Sequence, residues 1–296
     1  MQYFQRLLVI ISFFALASCS KFEKIRKSGT DDEKYKAAVK YYNEGDYSKA
    51  GLLFEEVIPI IKGSTEQEMA TFYQAYCDFH TGQYQTASFH FKQFAETFAR
   101  SDYAEEAVYK SAYSLFKDSP QFNLDQASSL TAMDALQSFV NNYPTSKYRD
   151  EASGIIKDLR VKLETKAFEK AKLYYKTSAA NIANYKAAVI AITNFQREFP
   201  DSDYLEEMAY LKVTSQYNYA LNSFEDKKKD RFTETVTFYQ ELVDKFPNSK
   251  FLKQTEKYYE GSQKELERIE KLEKAEKAKK EQEKTGKVGG ATTTSN

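Results

Sequence analysis

Apolar residues recur at helical spacing along most of the chain. Tyr35, Ala38, Val39 and Tyr42 follow i, i+3, i+4, i+7, one stripe of a 3.6-residue helix. The stretch NEGDY interrupts it, and Gly45 is suited to the left-handed conformation that ends a helix. Tyr47, Ala50, Phe54 and Val57 then form a second stripe, so the spacing predicts a helix–turn–helix hairpin. Shifted by 37 positions, the pattern meets itself. Tyr35, Ala38, Tyr42, Gly45, Tyr47, Ala50 and Phe54 fall on Phe72, Ala75, Phe79, Gly82, Tyr84, Ala87 and Phe91. A second shift carries Phe72, Ala75, Tyr76 and Phe79 onto Tyr109, Ala112, Tyr113 and Phe116. Large residues return as large and small as small, the signature of a repeat array.

Between units the chain repeats one phrase: FARSDY at Phe98, YPTSKY at Tyr143, FPDSDY at Phe199 and FPNSKF at Phe246. Proline stops the preceding helix, because it lacks an N–H and constrains the residue before it. Ser146, Ser202 and Ser249 are placed to cap the next helix, and acids such as Glu206 and Glu207 suit its positive end. The phrase reads as punctuation, with no catalytic role. Five units are expected, near 31–63, 64–100, 101–147, 148–202 and 203–250. The third carries an insertion, Lys117 to Ser129. The fourth opens on an extended helical pattern from about Arg149 to Lys176. Beyond Phe251 the register fades into KELERIEKLEKAEKAKKEQEK, whose Glu and Lys at i, i+4 support a solvated helix. The residues after it read as disordered.

Composition narrows the function. Lys+Arg and Asp+Glu number 43 each, which argues against nucleic acid as a partner. The 23 Tyr and 22 Phe, with only ten Gly and five Pro, favour helices packed through aromatic side chains. His80 and His90 sit in different helices of one hairpin, without a metal-ligand spacing. No CxxC, P-loop, GxGxxG or GxSxG occurs, so neither cofactor nor enzyme activity is expected. Cys77, in a helical aromatic segment, reads as a small buried hydrophobe. Binding remains. Its candidate groove residues lie on the first helix of hairpins two and three: Phe72, Tyr76, Phe79, Tyr109, Tyr113 and Phe116. Aromatics at this spacing also serve as packing. Tyr76 and Tyr113 stand out because a hydroxyl wants water or a partner.

The first twenty residues differ from the rest. Arg6 is the only charge, Leu7 to Leu16 is apolar but for Ser12, and small residues follow, as in a secretory signal. The segment ends Leu16-Ala17-Ser18-Cys19, which resembles the bacterial lipobox. That resemblance implies cleavage before Cys19, its acylation, and anchoring by several acyl chains. Ser20 in place of Asp resembles outer-membrane sorting, and the absence of an early acidic cluster favours the periplasmic face. The expected organisation is a signal peptide over 1–18, lipidated Cys19 and linker over 19–30, repeats one to three over 31–147, repeats four and five over 148–260, and a charged helical then disordered tail over 261–296.

The small residues Ala38 and Ala75, Gly-x-Tyr-x-x-Ala at 45–50 and 82–87, and proline near unit ends resemble the tetratricopeptide repeat. The fold expected is all-α, a superhelical stack of about five such hairpins, an α-solenoid whose concave face suits an extended partner. A lipobox followed by such hairpins, with YNEGDYSKA, AETFARSDYAEEAVYKSAYSLF, the unit-three insertion and FVNNYPTSKYRDEA in that order, resembles the BamD family of outer-membrane lipoproteins over roughly residues 16 to 250. The aromatic-rich character and charged tail suggest a Bacteroidetes-type member. The resemblance implies a scaffold of β-barrel assembly at the outer membrane. Its amino-terminal repeats would receive unfolded barrel substrates, and its carboxy-terminal repeats would dock a BamA-like outer-membrane barrel protein. A basic residue of the fourth unit that mediates docking in some members is unmatched here, where Ala188 to Ala191 stand. The rival reading is a tetratricopeptide lipoprotein of another envelope complex, for pilus secretin assembly or cell division. A SusD-like glycan binder would be much longer and carry Trp, of which this chain has none.

Overall fold

The computed structural model describes residues 21–288, with side chains through Gln282. The expected signal segment 1–18, Cys19 with its expected acylation, and the end of the expected tail lie outside the described residues. All regular structure among the described residues is helical, as the all-α solenoid reading requires. A helix α1 over residues 21–28 precedes five hairpins. These are α2 (Asp31–Asn43) with α3 (Tyr47–Val57), α4 (Glu66–His80) with α5 (Tyr84–Thr97), α6 (Ala104–Asp118) with α7 (Ala127–Asn142), α8 (Arg149–Thr177) with α9 (Ala183–Glu198), and α10 (Leu205–Leu221) with α11 (Glu225–Lys245). A final helix, α12, runs Leu252–Val288. Two compact units divide the chain at Lys162 and Leu163, inside α8.

In unit one, the turns within the first two hairpins rest on Gly45 (φ 80°) and Gly82 (φ 78°), where a β-carbon would be strained. Ala38, Ala50, Ala75, Ala87 and Ala112 are buried at the hairpin seams. Around them Phe54, Phe91, Phe94 and Phe139 are buried, each contributing roughly 2–3 kcal/mol of apolar burial. The amino-terminal half of α8 completes this unit, with Ala152, Ile155 and Leu159 against Leu136 and Phe139. The carboxy-terminal half belongs to unit two, where Phe168 and Ala171 join Ile192 and Phe195. The long helical pattern of the fourth repeat is thus one helix serving two cores.

The recurring phrase between hairpins is a clasp. Ser101, Ser146, Ser202 and Ser249 donate their hydroxyls to Glu68, Glu105, Glu164 and Glu206. Each serine oxygen also accepts the N–H two residues on, at 3.0–3.1 Å. That residue is the aromatic of the phrase. Tyr103, Tyr148, Tyr204 and Phe251 pack their rings on Phe72, Tyr109, Phe168 and Tyr210, with centroids 4.0–4.9 Å apart. Each glutamate lies four residues before the ring that its hairpin contributes, so both partners share one helix face. The serines are therefore not helix N-caps. The cap positions of α6 and α10 fall at Tyr103 and Tyr204, without a side-chain cap bond. The serine instead tightens a turn and ties the end of a hairpin back to that hairpin's own first helix, near its start for Glu68, Glu105 and Glu206 and midway along α8 for Glu164.

The segment expected as a linker after Cys19 contains α1. Phe22 is buried and meets Tyr41 edge-on at 5.8 Å. Thr30 and Glu33 then form a capping box that opens α2. At the other end, α12 begins well packed: Thr255, Ser262 and Ile269 are buried, and Leu266 lies against Ala220 and Phe232. A β-carbon on Gly261 would come within 2.7 Å of the Tyr217 hydroxyl, so the close approach of α12 to α10 depends on that glycine. From Glu270 to Gln282 the helix is exposed at every residue. The boundary expected at residue 261 falls inside this continuous helix.

Candidate functional site

The six aromatics singled out in the sequence lie on α4 and α6, the first helices of adjacent hairpins in unit one. The structure sorts them into two kinds. Phe72 and Tyr109 are 4% and 1% exposed, because they are the ring partners of the clasp residues Tyr103 and Tyr148. Tyr76, Phe79, Tyr113 and Phe116 are half-buried. Phe79 bridges to Tyr113 at 5.8 Å, and Tyr113 continues to Phe116 at 5.9 Å. On the other flank Tyr47 stacks on His80 at 4.1 Å, and Tyr76 lies 6.0 Å from that imidazole. A ladder of rings results, running from α3 to α6.

Two charged residues of α6 organise this ladder. Glu106 accepts the Tyr76 hydroxyl with one carboxylate oxygen and the Tyr148 hydroxyl, at 2.9 Å, with the other. Burial first and then this carboxylate push the Tyr76 pKa well above the ordinary phenol range. One turn on, the Lys110 ammonium lies 5.1–5.8 Å from the ring centres of Tyr76, Phe79, Tyr109 and Tyr113. Such distances are in the range of cation–π attraction. Glu106 is already occupied, and among the described residues no carboxylate comes within ion-pair distance of Lys110. Partial burial, followed by the Lys110 charge, lowers the His80 pKa. The Tyr113 hydroxyl is engaged by no described residue, whereas that of Tyr76 is taken.

Unit two has the corresponding pieces in a closed form. Lys172 lies 4.6 Å over Phe168, but its ammonium is paired with Glu207 at 3.1 Å. Lys212, 7% exposed, lies 3.9 Å over Phe238 and pairs with Glu241 at 3.1 Å. Lys245 and Lys250 each lie over a single ring, Phe246 and Phe251, whereas Lys110 lies among four.

Sequence reasoning misses Glu106 and Lys110, which resemble an ordinary i, i+4 surface pair. The signal is available in the repeat itself. The 37-residue shift that matches the aromatics puts Glu106 and Lys110 where the previous hairpin has Met69 and Tyr73.

A cleft of about 520 Å³ opens beside α4, among Leu52, Ile58, Gln74, Cys77, Asp78 and His90. There Asp78, 6% exposed, meets His90 Nδ1 at 2.7 Å. Cys77 is a buried free thiol, pushed up to about 12 by burial and then by the Asp78 charge. A thiol so protonated is a poor nucleophile. The two histidines are kept apart, His80 on the ring ladder and His90 on Asp78. Among the described residues no group of three His, Cys, Asp or Glu could hold a metal ion.

Among the described helices none is long and apolar enough to cross a membrane. A family model, YfiO, described as outer membrane lipoprotein, matches residues 27–184 and 180–271. The chain belongs to the YfiO family of outer membrane lipoproteins. The matched region takes in all five hairpins and the packed part of α12, and it supports the resemblance to BamD-type proteins at the level of the family. Membership associates the chain with the outer membrane and with a helical scaffold class that is in general non-catalytic. No curated protein matches the chain.

Proposed function

We propose that this protein is a lipid-anchored, non-catalytic scaffold of outer-membrane β-barrel assembly, held at the periplasmic face through acylated Cys19. On this reading the α4–α6 face receives segments of unfolded barrel proteins, and the hairpins of unit two dock a BamA-like barrel subunit. The observation that carries it is the Lys110 ammonium set among four aromatic rings without a carboxylate partner. An extended barrel segment presents aromatic and polar side chains in alternation, since successive residues of a strand point to opposite sides. Its rings would stack along Tyr76, Phe79, Tyr113 and Phe116. A carboxylate from the same segment would pair with Lys110, and a polar group with the Tyr113 hydroxyl. An aromatic surface that holds a chain without enclosing it suits transient handling of many clients.

The test is fluorescence anisotropy with labelled barrel-strand peptides, alongside thermal melts. Lys110→Gln and Tyr113→Ala should each weaken peptide binding by about tenfold, the scale of one charge-assisted or aromatic contact, with the melt unchanged. Unchanged affinity, or a loss that follows a lowered melting temperature, defeats the assignment of this face. At the level of the assembly, pull-down of the lipidated protein from envelopes should recover a large barrel protein with periplasmic domains. Recovery of a secretin or of division proteins in its place would support the rival envelope scaffold.

A further inference from the structure

We propose that α1 rests on the anionic headgroups of the membrane, holding the first hairpin against the lipid surface as a rigid stand-off. This rests on the reading that Cys19 carries the anchor. Only Ser20 lies between Cys19 and Lys21, where the described structure begins. From there the chain has little slack. Phe22 is 5% exposed in the core of the first hairpin. The Arg26 guanidinium reaches Glu56 of α3 at 2.7 Å, and the second Glu56 oxygen takes Lys34 of α2 at 2.9 Å. The Gly29 N–H bonds to the Ile25 carbonyl at 2.8 Å, and a β-carbon there would come within 2.5 Å of that oxygen. Thr30 then starts α2 directly. An eight-residue helix is about 12 Å long. An acyl chain on Cys19 would therefore keep the first hairpin within roughly that distance of the bilayer surface.

Charge says which surface. Along α1 four cations, Lys21, Lys24, Arg26 and Lys27, face one carboxylate, Glu23. Arg26 is used internally, and Lys27 pairs with Glu23 at 3.4 Å. Lys21 and Lys24 are exposed and have no ion-pair partner among the described residues. The acids Asp31, Asp32 and Glu33 gather at the far end, where α2 begins. The free positive charge thus sits beside the lipid attachment site and the negative charge a helix length away. An anionic lipid layer favours that polarity and acts within a Debye length of the surface.

The experiment uses the full lipidated chain, with Cys19 acylation read by mass spectrometry. It is reconstituted in vesicles of phosphatidylethanolamine with or without phosphatidylglycerol, each doped with a phospholipid carrying a photoreactive headgroup. Cross-links should map to α1 and increase with phosphatidylglycerol. The yield should fall by about fivefold for each lysine replaced in K21S and K24S, while the melt stays unchanged. A Phe22→Ala variant frees α1 from the hairpin and should raise its hydrogen exchange while Cys19 stays acylated. Acylated protein that gives no α1 cross-links, or gives the same yield after K21S/K24S substitution, overturns this inference alone. An unacylated Cys19 overturns the anchor reading and this inference with it.

Discussion

The Tyr148 hydroxyl donates to Glu106 Oε2 at 2.9 Å, across 42 positions of sequence. The other oxygen of the same carboxylate holds Tyr76, so one side chain of α6 fastens a ring from the preceding hairpin and one from the following turn. Replacing Glu106 with Gln keeps the shape and removes the charge that both phenols bond. We expect a loss of about 1–2 kcal/mol. It would be read as a lower midpoint in denaturant unfolding with an unchanged slope. An unaltered midpoint would show that the two phenols do not depend on the charge.

The buried ring partners should behave unlike the accessible ones. Phe72→Ala removes a ring packed against Phe91, Phe94 and Tyr103, and should destabilise by about 3–5 kcal/mol. Tyr113→Ala removes a half-buried ring and should leave the thermal midpoint within a few degrees of wild type. Comparable losses for the two would mean that Tyr113 is core.

Tyr109 offers a sharper test. Its hydroxyl is buried beside the Glu151 carboxylate but makes no hydrogen bond of ordinary geometry to any described residue. Burial, and then the nearby Glu151 carboxylate, hold its pKa far above the usual phenol range. A buried hydroxyl whose approach to Glu151 falls short of a well-formed hydrogen bond recovers little of its desolvation cost, so Tyr109→Phe should be neutral or stabilising by up to about 1–2 kcal/mol. A clear loss of stability in urea unfolding would show that the bond to Glu151 is well formed.

The docking of α1 should depend on pH. The Arg26 and Lys34 hydrogen bonds hold the Glu56 pKa below its ordinary value. A carboxylate depressed in the folded state contributes stability that is fully present above the unfolded value near pH 4.3, and that contribution is lost as pH falls through the folded value. Hydrogen exchange at residues 21–28 should therefore rise as the solution is acidified below about pH 4.3. In Glu56→Gln it should be high already at neutral pH. Exchange that is independent of pH once corrected for intrinsic rates would exclude the ion pairs as the cause of docking.

Much of the fold can be read from residues that repeat. The aromatic and alanine stripes predict the paired helices, and Gly45 and Gly82 predict turns that the structure places at positive φ. The serines are legible as punctuation but not in their role, because capping a helix and bonding a distant glutamate both need the same short hydroxyl side chain. The helix over 21–28 is hidden. Its run KFEKIRKS is short and mostly charged, and only the tertiary contact of Phe22 with Tyr41 distinguishes it from a tether. At the candidate site the rings are visible but their division is not. Helical periodicity places Phe72 and Tyr76 on one face alike, whereas burial depends on which of them the following Tyr103 covers.

The clasp has a consequence for how such arrays change in length. Glu68 and Ser101, Glu105 and Ser146, and Glu206 and Ser249 are pairs whose two members lie at opposite ends of a single hairpin, whereas Glu164, the partner of Ser202, lies midway along α8. For those three hairpins, a stretch of gene copied or deleted from the glutamate through its serine takes both halves of the bond together. It leaves no orphaned carboxylate in its neighbours, so the array can grow or shrink by whole hairpins with each newcomer arriving already latched.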